Sequence, residues 1–490
     1  MFPRILGLLL LLAGPAAAAG EFACSALDAQ VEKAMAGWQV PGLALGVVRN
    51  GDVLVARTYG VRDIADGAPV TAQTVFALGS VTKSLTALLA AALDRACTLP
   101  LDAPVSDTVE RFPAGITLRH LLSHRAGWPR HDALWYLDAF DRGGIADRLA
   151  LLPRFAPPGR AFQYNNVTYA AVGQAVERAT GIPWDAHAKA SILEPAGMTL
   201  SGTTVAGFRS AANRASGYFP ADRGPVPLPL RDTDPVAPAA GLHAPLSDML
   251  RYLELLATDG RVGERQVVPK GSVPALLAPS PSADGGAYGL GFNLADWRGR
   301  RLAYHPGVID GYGARLSLLP DDATGIIVLS NLSGRTPVAQ IVSQTLLDCL
   351  DGRTDTDWVA RFGHRRPPPG PASPAPATVA QDRPVAAYAG RFAHPAYGAI
   401  ELEPAADGAH LTGRFHGRVL RLAYAGADRW RLAETDWPLR EGLLFEFADM
   451  AEGRFGRLLT PLADGPTYRH RAGPLPFSRV PLHSGGKNPL

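Results

Sequence analysis

The stretch Phe76-Ala77-Leu78-Gly79-Ser80-Val81-Thr82-Lys83 decides how this chain is read. Ser80 and Lys83 stand three apart where an apolar helical run, Leu85-Thr86-Ala87-Leu88-Leu89-Ala90, begins, so both side chains share one helical face. The unpaired N–H groups of a first helical turn lie beside that hydroxyl and favour negative charge developing there. A serine hydroxyl is a poor nucleophile until a neighbour takes its proton. A lysine shielded from water, with its pKa brought down toward about 7 to 8, can be that neighbour. Lysine is scarce here: of 48 basic residues only Lys33, Lys83, Lys189, Lys270 and Lys487 are lysines, so each position is informative. Ser-x-x-Lys alone is a weak signal. Ser484-Gly485-Gly486-Lys487 also matches, in a glycine-rich tail with nothing to hold the geometry, and is read as chance.

Upstream of the serine, Ser25 to Trp38 has helical spacing, followed by two apolar runs, Leu43 to Val48 and Val53 to Tyr59, joined by Arg49-Asn50-Gly51-Asp52. An Asn-Gly pair between strand-like runs predicts a β-hairpin. Helical patterns follow at Ser80 to Asp94, Thr168 to Thr180 and Pro245 to Ala257. Later, Tyr288 to Leu294, Leu302 to His305, Gly313 to Leu319 and Gly325 to Asn331 read as strands, and Val338 to Leu350 as a helix. Strands at both sequence ends with helices between them predict an α+β fold whose sheet draws on both ends.

At 490 residues the chain exceeds the usual size of a single core, so more than one folded unit is expected. Residues 1–19 carry Arg4, an apolar run from Ile5 to Ala13, Gly14-Pro15 and small residues, the pattern of a cleavable secretory signal. That run is shorter than the roughly 20 residues a membrane-spanning helix needs, and no later stretch could span a bilayer, so no integral membrane segment is expected after signal removal. Cys24 is preceded by Glu21-Phe22-Ala23, without the aliphatic residue a lipidation signal wants. The expected location is periplasmic or secreted. Residues 20–363 read as the main folded unit, 364–384 as a proline-rich linker, 385–475 as an all-β unit, barrel or sandwich, and 476–490 as a tail. The net charge of +3 has no long like-charge run, so no nucleic-acid partner is assigned. Three cysteines cannot form a framework. Cys24 begins one helical pattern and Cys349 ends another, so antiparallel packing would bring them together; otherwise all three are buried small hydrophobes.

Further residues join the pattern. Val40-Pro41-Gly42-Leu43-Ala44-Leu45, Phe76 to Lys83 and His120-Leu121-Leu122-Ser123-His124-Arg125-Ala126-Gly127 stand in an order that resembles the serine β-lactamase family, in its class C-like branch of esterases and D-aminopeptidases. The likeness spans roughly Cys24 to Leu350, and the later region resembles more weakly the β-barrel appendage of some of these hydrolases. The resemblance implies a β-lactamase/transpeptidase-like antiparallel sheet flanked by helices, with a helical subdomain. It also implies an acyl-enzyme on Ser80. Tyr164-Asn165-Asn166 matches the family's Tyr-x-Asn, which implies Tyr164 as proton relay or base and Asn166 as a partner of Lys83 and the substrate amide. His305-Pro306-Gly307 stands where lactamases carry Lys-Thr-Gly. That departure supplies less permanent positive charge for a substrate carboxylate and weighs against antibiotic hydrolysis. With Gly307 beside it, the N–H of Val308 and that of Ser80 would form an oxyanion hole.

The expected activity is hydrolysis of amide or ester bonds in small acyl or peptide substrates. The alternatives are a true β-lactamase and a silent penicillin-binding-type capture protein. No cofactor is expected and no oligomeric state is assigned. His120 and His124 lie four apart, but no glutamate sits between them and no third ligand is evident, so packing roles are expected and no metal. No Gly-x-Ser-x-Gly elbow occurs, which excludes the α/β-hydrolase pattern. Trp430 and Trp437 in the all-β unit read as core rather than as a carbohydrate-binding surface.

Overall fold

The computed structural model describes residues 24–136, 140–221, 223–333, 336–363, 381–435, 444–460 and 475–480. The segments read as signal, most of the linker, Trp437 and the Ser484–Lys487 match lie outside them.

An eight-stranded antiparallel sheet organises the first part of the chain. Its spatial order is Asp52–Gly60, Gly42–Arg49, Thr324–Ser330, Tyr312–Leu319, Arg300–Ile309, Asn293–Trp297, Ala287–Tyr288 and Ser280–Pro281. The hairpin at its edge turns through Asn50 and Gly51, both at positive φ (55° and 92°), the geometry an Asn-Gly pair adopts without strain. Strands from the two ends of the sequence meet in register, Leu43 opposite Ser330 and Arg49 opposite Thr324. Gly42–Arg49, Tyr312–Leu319 and Thr324–Ser330 are buried almost throughout because helices cover both faces. Leu27–Trp38 and Val338–Leu350 cover one face, and Cys24 is disulfide-bonded to Cys349. Cys97 is free and exposed. Leu246–Ala257 covers the other face, where Gly46 and Gly325 let Leu250 and Leu253 approach the sheet backbone.

One expectation needs correction. Tyr288 to Leu294 is not one strand: Ala287–Tyr288 and Asn293–Trp297 flank a turn closed by the Gly289 N–H on the Phe292 carbonyl. Gly291 in that turn has φ +73°, and a β-carbon there would stand 2.6 Å from the Lys83 carbonyl oxygen. The chain therefore breaks where it must lie against the Ser80 helix. His120 and His124, for which packing roles are expected, stand apart. His120 belongs to the capping box of Leu118–Leu122, while His124 follows the helix at φ 60°.

Beyond the linker, eight strands from Gly390–His394 to Leu475–Val480 close into an antiparallel barrel, the last pairing with the first through Arg391 and Val480. The closing strand thus extends past residue 475. Eight strands leave an interior that side chains can fill, and aromatic residues fill it here: Tyr388, Phe392, Trp430, Phe447 and Phe455 are all buried. The apolar core runs on from the helical side of the first unit into this barrel. Among the described residues no helix is long and apolar enough to cross a membrane.

Candidate active site

Ser80 sits in a single 3₁₀ turn, Gly79–Val81, that leads into the helix Thr82–Arg95. Gly79 holds φ +50°, and a β-carbon there would lie 2.7 Å from the carbonyl of Val308. A β-carbon on Gly307 would lie 2.0 Å from the Leu78 carbonyl oxygen. Backbone therefore packs on backbone between the serine turn and the strand Arg300–Ile309, and only glycine fits at both contacts. The pairing of that strand with Asn293–Trp297 ends at Tyr304, so beyond it, among the described residues, no strand covers this edge. Val308 there is 48% exposed.

Lys83 is fully buried, one turn from Ser80. Its Nζ lies 3.1 Å from Ser80 Oγ, 2.8 Å from Asn166 Oδ1 and 3.1 Å from the Ala239 carbonyl oxygen. Burial holds the amine well below its ordinary pKa, and the nearby Arg130 guanidinium lowers it further, against a smaller opposing pull from Asp132. A neutral amine has two hydrogens and one lone pair. The two carbonyl oxygens can only accept, so in the neutral form they would take the hydrogens and leave the lone pair for the Ser80 hydroxyl.

Asn166 is fixed by a residue the sequence reading did not single out. Its Nδ2 donates to Asp132 Oδ1 at 3.1 Å. Because a carboxylate only accepts, the amide must turn Oδ1 toward Lys83. Asp132 also accepts from Trp135 Nε1 at 3.1 Å and forms an ion pair with Arg130 Nε, and it is 5% exposed. Tyr164, partly buried, presents its ring 4.7 Å from Lys83 Nζ, with the Arg130 guanidinium 5.7 Å from the same ring.

A second histidine network backs the tyrosine. His124 Nδ1 accepts from the Asn165 N–H at 3.2 Å, and its ring lies 4.4 Å from Tyr164 and 5.1 Å from Tyr288. His305 is 1% exposed, with Nδ1 2.7 Å from the Pro306 carbonyl oxygen and Nε2 3.2 Å from the Tyr288 hydroxyl. The carbonyl fixes the proton on Nδ1, leaving Nε2 to accept from Tyr288. Burial pushes His305 down to about 3, so it is neutral at physiological pH. The structure thus gathers Ser80, Lys83, Tyr164 and Asn166, with His305, Gly307 and Val308 on the adjoining strand. Among the described residues no group of three or more His, Cys, Asp or Glu could hold a metal ion.

A serine in the turn leading into a helix, its hydroxyl facing a dehydrated amine at the open edge of an antiparallel sheet, defines a serine hydrolase of the acyl-transfer kind. The family model described as Beta-lactamase matches residues 27–348, and the chain belongs to that family. It is similar to the unguisins hydrolase ungD of Aspergillus violaceofuscus, 27% identical over 78% of this chain and 77% of that one. It is also similar to the D-aminopeptidase of Cereibacter sphaeroides, 29% identical over 59% of this chain and 57% of that one. In fold it is similar to the octameric penicillin-binding protein homologue from Pyrococcus abyssi. That likeness has a TM-score of 0.59 and 23% identity, and covers 89% of this chain and 95% of that one.

Proposed function

We propose that Ser80 is the nucleophile of this hydrolase and that Lys83, with Tyr164, handles its proton. The hydroxyl oxygen bonds to the substrate carbonyl carbon while its proton passes to the Lys83–Tyr164 pair. The bond to the leaving amine or alkoxide then breaks and that group receives the proton. Water attacks the Ser80 ester and releases the acid. Asn166 orients Lys83 and accompanies the substrate amide. The N–H groups of Ser80 and Val308 receive the oxyanion, each such donor being worth roughly a hundredfold or more in rate. The observation that carries this reading is the triple contact of Lys83 Nζ with Ser80, Asn166 and Ala239 in a site without water access to the amine.

The neutral His305 refines the substrate. A position carrying no cation offers no counter-charge to a substrate carboxylate, so esters and amides uncharged at that point are favoured over β-lactam antibiotics. The D-aminopeptidase likeness adds aminoacyl amides to the candidates. A panel of p-nitrophenyl esters, D- and L-aminoacyl amides and nitrocefin tests this, with sustained ester or amide turnover and little nitrocefin hydrolysis expected. A burst without turnover would instead mark a capture protein. Ser80→Ala labelled by a serine-directed covalent probe at the wild-type rate would refute the nucleophile.

The chain is proposed to be exported to the periplasm or beyond. The N-terminal signal pattern and the Cys24–Cys349 bond, which persists in oxidising compartments, both support this. Residues 364–384 are proposed as a linker between the hydrolase unit and the barrel. N-terminal sequencing of the mature protein tests the export.

A further inference from the structure

We propose that the C-terminal barrel is a positioning device for catalysis: a buried hydrogen bond from its Tyr397 to His131 holds Arg130 and Asp132 in place against Lys83 and Asn166. The inference rests on the reading of Ser80 and Lys83 above and gives the barrel a part in the same reaction.

Tyr397 lies in the turn between the barrel strands Gly390–His394 and Gly398–Pro404, with its ring anchored inside the barrel, edge-on to His394. Its hydroxyl reaches out to His131 Nδ1 at 2.9 Å, and both residues are fully buried. His131 is the middle residue of Arg130-His131-Asp132. Its neighbour on one side presents a guanidinium to the Tyr164 ring, and its neighbour on the other binds Asn166 and Trp135. A second barrel turn repeats the contact further along the same segment. His416 packs edge-on to Phe140 at 5.0 Å, and the Arg148 guanidinium covers the other ring contact at 3.6 Å. His416 also bonds the Tyr397 carbonyl oxygen, tying the two barrel turns together. Barrel turns thus contact both His131 and Phe140.

Asp132 and Arg130 set the orientation of Asn166 and the field at Lys83, so whatever fixes His131 fixes both. Burial pushes His131 down to about 3, so its imidazole is neutral and does not titrate near neutrality. Reacting groups lose rate steeply when misplaced by about 1 Å, and one neutral buried hydrogen bond corresponds to about fivefold.

The test uses the full-length enzyme and p-nitrophenyl acetate. Tyr397→Phe keeps the ring and removes only the hydroxyl; Tyr424→Phe removes another barrel hydroxyl, bonded to Asp382 at 2.7 Å, and serves as the control. The expected result is a kcat about fivefold lower for Tyr397→Phe, with KM little changed and Tyr424→Phe like wild type. His131→Ala should match Tyr397→Phe, the double variant should fall no further, and His131→Asn, which returns a polar atom near Nδ1, should recover activity. If Tyr397→Phe does not fold, the His131 pair carries the comparison. Wild-type kcat in folded Tyr397→Phe, an equal fall in Tyr424→Phe, or single effects that multiply would each overturn the proposal. Absence of Ser80-dependent turnover in the wild type would instead overturn the reading beneath it.

Discussion

Replacing Asp132 by asparagine conserves volume and removes one charge, which makes it a searching test of how Lys83 is set. The carboxylate, itself almost out of reach of water, accepts from Asn166 Nδ2 and Trp135 Nε1 and pairs with Arg130. Breaking a buried ion pair by removing one partner costs about 3 to 5 kcal/mol. The lower figure applies, because the Arg130 side chain is 19% exposed and keeps some hydration. The new amide can face Asn166 with its own NH₂, which turns Asn166 and takes the acceptor away from Lys83. A misorientation of that kind lowers kcat/KM by about 10²-fold, or about 2.7 kcal/mol at 1.36 kcal/mol per decade.

The pH dependence has a definite sign. Asp132 raises the Lys83 pKa and Arg130 lowers it. Removing the anion leaves the cation unopposed, so the ammonium form is less stable. Activity needs the neutral amine, so the acid limb of kcat/KM against pH must move to lower pH. Ester turnover between pH 4 and 9, with thermal unfolding on the same samples, reads all three effects. A variant with wild-type melting and an unmoved or alkaline-shifted acid limb would refute the coupling of Asp132 to Lys83.

Three further outcomes follow from other parts of the molecule. Gly79→Ala would drive a β-carbon to 2.7 Å from the Val308 backbone, so folded variant should lose at least about 10²-fold in kcat, and unchanged ester turnover would contradict the contact. His305→Asn should leave the shape of the pH-rate profile between about pH 5 and 8 unchanged, because the imidazole is already neutral there; loss of a titration step in that range would show otherwise. Removing the Cys24–Cys349 bond by replacing both residues with serine should lower stability by about 2 to 4 kcal/mol with kcat kept, since it joins helices on the sheet face opposite Leu246–Ala257. Denaturant unfolding beside steady-state rates measures both.

The sheet and the main helices were legible because their signals are local and strong. Asn50-Gly51 between apolar runs specifies its turn, and Leu85 to Ala90 after Ser80 specifies its helix. Ser80, Lys83 and the Tyr164–Asn166 motif could be picked out because their order along the chain resembles a known pattern. Asp132 could not be, because it lies in the segment Gly127 to Gly144, where neither period nor turn chemistry marks one polar residue above another. Its importance comes from where that segment is folded back. The break at Gly289–Phe292 was hidden for a related reason. Tyr288 to Leu294 alternates well enough for a strand, and only the Lys83 backbone pressing on Gly291 makes it a turn. The barrel's closure likewise depends on Arg391 meeting Val480, a pairing no local pattern announces.

The meeting of Leu43 with Ser330 has a bearing on how the molecule is made. A ribosome delivers the first strand long before its inner neighbour exists, so the early hairpin must wait, half-dressed, while some hundreds of residues emerge. The central β ladder can be assembled only after Thr324–Ser330 has been made.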